Sequence, residues 1–200
     1  MPKYVHSDVL DGGLNGIKTV ATKMYLIKTY AAADSYATVT GNALAPAVTM
    51  ASGDFTLSGA DNAPRVLTTA AGKTATANAT STQYDSGTAT GGSTTTLVDS
   101  GKAWTTNAQA GRAVTITGGT GSGQTGRISS NTGTTLTIAS AWAVAPDATS
   151  TYRISDDLHI AFTDGSAKVL WVTDESSNQV VTSGNTINFP QLTYTAAQPT

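Results

Sequence analysis

The sequence predicts a mainly β protein, with a β-sandwich or jelly-roll-like host domain, one short N-terminal helix and a small inserted β domain. Three observations carry this. Thr occurs 37 times, Ala 30, Gly 20 and Ser 18, so small residues fill 105 of 200 positions, and Thr favours the pleated, half-buried surface of a strand. Apolar residues come in short runs broken by Gly, Asn and Asp turns. The texture also changes near Gly87 and again after Ile154, setting residues 87–153 apart from 1–86 and 154–200.

The helix comes first. Ser7 can cap it, Asp8 and Asp11 suit its positive end, and Val9, Leu10, Leu14, Ile17 and Ala21 recur at helical spacing. Gly12, Gly13 and Gly16 each cost about 1 kcal/mol relative to Ala, so this helix holds only when docked on something else. It is the only helix the sequence predicts. A strand follows in Thr22-Lys23-Met24-Tyr25-Leu26-Ile27-Lys28-Thr29. Short strands are expected around residues 36–40, 47–50 and 54–57, and another over Arg65–Thr69.

Residues 87–153 read as five short strands, in Thr94 to Asp99, Ala113 to Thr117, Arg127 to Ser130, Thr134 to Ile138 and Ser150 to Ile154. Gly-rich turns separate them, the pattern of a small sandwich or barrel. Trp104 and Trp142 are expected to cover its core. Beyond it, Leu158-His159-Ile160-Ala161-Phe162, the turn Thr163-Asp164-Gly165 and Lys168-Val169-Leu170-Trp171-Val172-Thr173 form a hairpin pattern. A second hairpin is expected from residues 179–182 through Ser183-Gly184-Asn185 to Thr186-Ile187-Asn188-Phe189. Pro190 confines that last strand to an edge or a terminus. Thr195 to Thr200 either reach a neighbour or stay loose. Since the flanks of 87–153 need each other to complete a sheet, that segment is an insert in a host formed by 1–86 and 154–200.

Composition narrows the function. Charged residues are 12%, the net charge is −2 and Glu175 is the only glutamate, which leaves no electrostatic footprint for nucleic acid or anionic lipid. Apolar runs are too short to span a membrane as a helix. No apolar run follows Met1-Pro2-Lys3-Tyr4, so no secretory signal is expected. With no Cys and two His, thiolate chemistry is absent and acid–base material is scarce.

Four constellations carry residues with candidate chemistry. Residues 121–126, Gly-Ser-Gly-Gln-Thr-Gly, satisfy a dinucleotide pattern, but that chemistry needs a helix after the loop, and β sequence lies on both sides. A hairpin loop is expected. Asp156, Asp157, His159 and Asp164 form the only cluster with the composition for a metal or acid–base work; turn-forming Asp and a His159 facing a surface or partner are the expected reading. Arg65, Arg112, Arg127 and Arg153 are scattered and read as surface charges. His6 and His159 sit in no nucleophile motif, and Asn78-Ala79-Thr80 is a formal glycosylation sequon. The expectation is an uncharged Thr/Ser/Gly surface for assembly, with no catalytic, cofactor-binding or metal-ligating residue and no cofactor.

Two resemblances give that surface a context. The opening Tyr4-Val5-His6-Ser7-Asp8-Val9-Leu10-Asp11, Leu14-Asn15-Gly16-Ile17 and Ala21-Thr22-Lys23-Met24-Tyr25-Leu26 resembles small structural proteins of tailed bacteriophages. So do the closing segments Leu158 to Gly165, Leu170-Trp171-Val172-Thr173 and Val181 to Pro190. Thr96-Leu97-Val98-Asp99-Ser100-Gly101-Lys102-Ala103-Trp104, Gly111-Arg112-Ala113-Val114, Gly121-Ser122-Gly123-Gln124-Thr125 and Ser150-Thr151-Tyr152-Arg153 look like a β module of many phage virion proteins. The resemblance implies a non-enzymatic virion protein, assembled in the bacterial host cytoplasm. Its expected role is a decoration or cement protein on the capsid, a homo-oligomer whose partner is the major capsid protein. The alternatives are a tail, neck or baseplate accessory protein, or a sugar-binding adhesin using Trp104, Trp142, Tyr84 and Tyr152.

Overall fold

The structure, a computed structural model, describes residues 4–61, 63–175 and 177–197. In chain order it comprises helix α1 (Ser7–Val20), β1 (Lys23–Ile27), helix α2 (Tyr36–Gly41), β2 (Val48–Thr49), β3 (Phe55–Ser58), β4 (Arg65–Thr69) and β5 (Thr74–Thr76). Then come β6 (Gln83–Thr88), β7 (Gly91–Ser93), β8 (Thr96–Val98), β9 (Ala113–Gly118), β10 (Thr125–Asn131), β11 (Thr135–Ile138) and β12 (Thr151–Ser155). The chain closes with β13 (His159–Thr163), β14 (Val169–Asp174), β15 (Thr186–Asn188) and β16 (Thr193–Ala196). The protein is mainly β, and every strand pairing is antiparallel. Among the described residues no helix is long and apolar enough to cross a membrane.

The two ends of the chain build one sandwich-like body. One sheet runs β14-β13-β1-β2, a second β16-β4-β3, and β15 pairs with β5. Each therefore joins a segment before residue 83 to one after residue 155. Their inner faces share a core of Met24, Leu26, Phe55, Leu67, Ile160, Phe162 and Trp171. The Phe162 and Trp171 rings stack at 4.7 Å, within the range of attractive aromatic pairs.

Helix α1 docks on this core through Leu14, 1% exposed, with Ile17 packed beside it. Asp11 ties it to β4 by a two-pronged pair with Arg65, at 2.6 Å and 2.9 Å. A planar guanidinium holds a carboxylate best in this way. The cap differs from expectation: His6 holds the N-cap position, its Nδ1 accepting from the Asp8 amide at 3.2 Å. Ser7 instead turns inward and hydrogen-bonds Asp61. Gly12, Gly13 and Gly16 lie on the exposed face, where a Cβ would meet nothing.

The middle of the chain folds as a seven-stranded sheet in the order β6-β12-β9-β10-β11-β8-β7. Its two edge strands, β6 and β7, are separated in sequence only by Ala89 and Thr90. Seven strands laid flat would span about 29 Å at ~4.8 Å per gap, further than two residues reach. The sheet must curl until its edges approach, as a barrel does. It encloses its own core of Leu97, Val114, Ile116, Ile128, Leu136, Trp142, Tyr152 and Ile154. As expected, both tryptophans cover this core: Trp142 is 5% exposed, and Trp104 packs edge-on to Tyr152 while its Nε1 donates to Asp85 at 2.7 Å.

Pairing in the seven-stranded sheet spans residues 83–155, with Gln83 and Asp85 paired to Ser155 and Ile154. Several expectations are corrected. Residues 36–41 form a second helix, not a strand: the Ser35 hydroxyl caps it at the Thr38 amide, 3.1 Å. Residues 179–182 do not pair with 186–189. Instead β15 takes β5 as its partner, and β5, β6 and β7 have too little apolar patterning to have been read as strands. Thr195 and Ala196 belong to β16, paired with β4; residues 1–3 and 198–200 lie outside the described residues.

Candidate functional site

The residues with the most chemistry meet where residues 83–155 leave and rejoin the body. The Thr82 amide donates to Asp156 Oδ2 at 2.7 Å, and the Asp156 amide donates to the Thr82 carbonyl at 3.0 Å. Asp156 Oδ1 accepts from the Tyr84 hydroxyl at 2.8 Å. The Arg112 guanidinium lies 3.4 Å from the centre of the Tyr84 ring, a cation–π contact.

One residue further on, buried Asp157 faces Arg127 of β10, Nε to Oδ2 3.2 Å. His159 Nε2 approaches the same oxygen at 3.8 Å, and its Nδ1 contacts the Asp157 carbonyl at 2.8 Å. Burial raises the Asp157 pKa above the usual carboxylate range, while His159 and Arg127 pull it back. Arg153 of β12 donates to the Asn178 carbonyl at 3.0 Å, and buried Asn178 accepts from the Leu158 amide through Oδ1. Thus Arg112, Arg127 and Arg153, scattered in sequence, converge on neighbouring strands and fasten the curled sheet to the body or brace its seam.

The predicted cluster is brought together only in part. Asp156, Asp157 and His159 meet at this seam. Asp164 lies at the far end of β13, where its Oδ1 accepts the amides of Ser166, Ala167 and Lys168 at 2.8–2.9 Å. Those three donors hold its pKa down to about 2. His159 does not face a surface. It is 9% exposed, because β13 is covered on both faces, with Tyr30 against the imidazole and every residue of the strand buried. Nothing in the sequence reveals that α2 and Tyr30 cover its face of β13.

Other sequence features have plain structural places. Residues 121–124 lie in the loop between β9 and β10, and Thr125 and Gly126 open β10, so a strand, not a helix, follows. Gly121 and Gly123 have φ of 78° and 89°, which a side chain would strain. His6 caps α1, and Arg65 binds Asp11. Trp104, Trp142, Tyr84 and Tyr152 do not form a flat sugar platform: Trp142 and Tyr152 are buried, Trp104 is packed on Tyr152, and Arg112 covers the exposed Tyr84.

An open cleft of about 450 Å³ lies on the body. Leu26, Leu158, Ile160 and Phe189 line it, with Glu175, Ser177 and Asn188 among its polar groups. No local pattern predicts it, because residues 181–189 run beside residues 73–81 instead of folding back on themselves. Among the described residues no three His, Asp or Glu side chains gather to hold a metal ion.

Compared with family models, curated proteins and solved structures, the chain matches none.

Proposed function

We propose that this chain is a non-enzymatic structural component of a tailed-phage particle, a decoration or cement protein bound to the outside of the capsid. The observation that carries the reading is where its two phage-like segments lie. Met24-Tyr25-Leu26 in β1 pairs directly with Ile160-Ala161-Phe162 in β13, so segments more than a hundred residues apart form one sheet. The likeness at the two ends of the sequence is thus a likeness in one structural unit, the body. The curled sheet of residues 83–155 projects from it as an accessory module.

In this reading the body docks on the major capsid protein. A net charge of −2 gives little long-range attraction, so the interface relies on backbone hydrogen bonds and close packing of small side chains. At 0.1 M salt, attraction between exposed charges is screened beyond about 10 Å, and an interface that does not depend on such attraction is nearly indifferent to salt. Purified chain is added to capsids lacking it, at low and at high ionic strength. Binding that saturates at many copies and changes little with salt supports the proposal. A steep loss with salt, or saturation at a few copies, favours a tail, neck or baseplate position.

A further inference from the structure

We infer that the outer edge of β14 is a homotypic docking strand, pairing antiparallel with β14 of a second copy about a two-fold axis near Val172. In the four-stranded body sheet β14 is the last strand, and among the described residues nothing pairs with its outer side. The Glu175 amide donates inward to the Leu158 carbonyl at 2.8 Å. The register then runs without a shift from His159–Asp174 to Phe162–Trp171. Alternation along an antiparallel ladder turns Thr173 and Trp171 inward with Glu175, and turns the backbone N–H and C=O of Val172 and Asp174 outward.

This edge is longer than most of the others: β3 and β16 have four residues, β5 and β15 three. β2 has two residues and β7 three, while β6, equally long, carries Asp85 and Gly87. β14 reads Val-Leu-Trp-Val-Thr before its first charge. Proteins ordinarily blunt such an edge with Pro, Lys, an inward charge or a bulge; those five residues hold no Pro and no charge, and their one register shift lies at the start of the strand, between the Phe162–Trp171 and Thr163–Val169 pairs. Leu170 and Val172 are half-buried, leaving apolar area that a neighbouring strand would cover.

Charge selects the occupant. Lys168 immediately precedes the strand, and Asp174 and Glu175 end it. None of the three is in an ion pair among the described residues. Antiparallel pairing centred near Val172 brings Lys168 of one copy beside the Asp174–Glu175 pair of the other, twice by symmetry. Parallel pairing would set like charges together. The edge is therefore complementary to itself, as an isologous two-fold interface requires. The main-chain ladder supplies affinity, as in other strand additions.

The inference stands apart from the virion reading, since it concerns the purified chain without capsids. Sedimentation velocity of the full chain across the micromolar range should show a concentration-dependent monomer–dimer equilibrium. Val172→Pro deletes an outward amide at an edge position that tolerates Pro; it should abolish the dimer while keeping the far-UV spectrum. Lys168→Glu should weaken the dimer about tenfold, and adding Glu175→Lys should recover part of that loss. If Val172→Pro does not fold, the charge variants decide. A chain that stays monomeric throughout, or a dimer indifferent to Lys168→Glu and to a folded Val172→Pro, overturns the inference.

Discussion

Thr82 and Asp156 are joined by two hydrogen bonds, amide to carboxylate at 2.7 Å and amide to carbonyl at 3.0 Å. The chain leaves the body and returns to it at this one point. A segment that starts and ends at the same place can be removed without pulling the body apart.

Replacing residues 83–155 with a short Gly/Ser linker should therefore leave a body that unfolds cooperatively. The excision also removes Arg127 from buried Asp157, so Asp157→Asn belongs in the same variant to avoid an unpaired buried charge. Thermal unfolding followed by circular dichroism provides the check. A broad, non-cooperative melt would show that the curled sheet is integral to the body.

Helix α1 should be held by Leu14. Leu14→Ala empties a buried site and should cost about 2–5 kcal/mol. Val9, 68% exposed on the same helix, should tolerate Ala within about 0.5 kcal/mol. Denaturant unfolding of both variants gives the comparison, and equal effects would contradict the docking.

Within the curled sheet, the Tyr152 hydroxyl donates to Asp99 Oδ2 at 2.7 Å with both residues buried. Tyr152→Phe leaves that carboxylate short of a donor and should cost about 1–3 kcal/mol. A Cβ at Gly87 would lie 2.7 Å from Asp99 Oδ2 and 2.9 Å from the same hydroxyl. Gly87→Ala should thus destabilise by forcing the pair apart, and less so in a Tyr152→Phe background. Independent, additive losses would show that the two positions do not share this contact.

Asp164 gives a pH signature. Its folded pKa of about 2 lies below the ordinary Asp value near 3.9. The stabilisation is therefore fully present above about pH 4 and is lost as pH falls through 2. Asp164→Ala should lower stability at pH 6 and converge with the unaltered chain near pH 2. Guanidinium unfolding at both values tests it; a stability gap that is as wide at pH 2 would contradict the three-amide turn as its cause.

Period and turn residues made much of this fold legible. Arg65–Thr69 and the β13–β14 hairpin carry alternation and turn signals strong enough to stand alone, and the insert announced itself by short strands at regular spacing. What stayed hidden was set by distant partners. Thr74–Thr76 is a strand only because Thr186–Asn188 lies beside it, and no local pattern in three small residues encodes that. Residues 36–41 look strand-like by β-branched content, yet the Ser35 cap and docking of buried Val39 make them a helix. The seam was half visible: Asp156 and Asp157 stood out as a pair, whereas Arg112, Arg127 and Arg153 converge only once β12, β9 and β10 align.

The central claim, a capsid decoration protein, is tested most directly by counting. Quantitative mass spectrometry of purified particles carrying this chain measures its copies relative to the major capsid protein. The account predicts a fixed ratio on the scale of the capsid lattice, retained when tails are removed. A handful of copies per particle, or copies that leave with the tail, would contradict it.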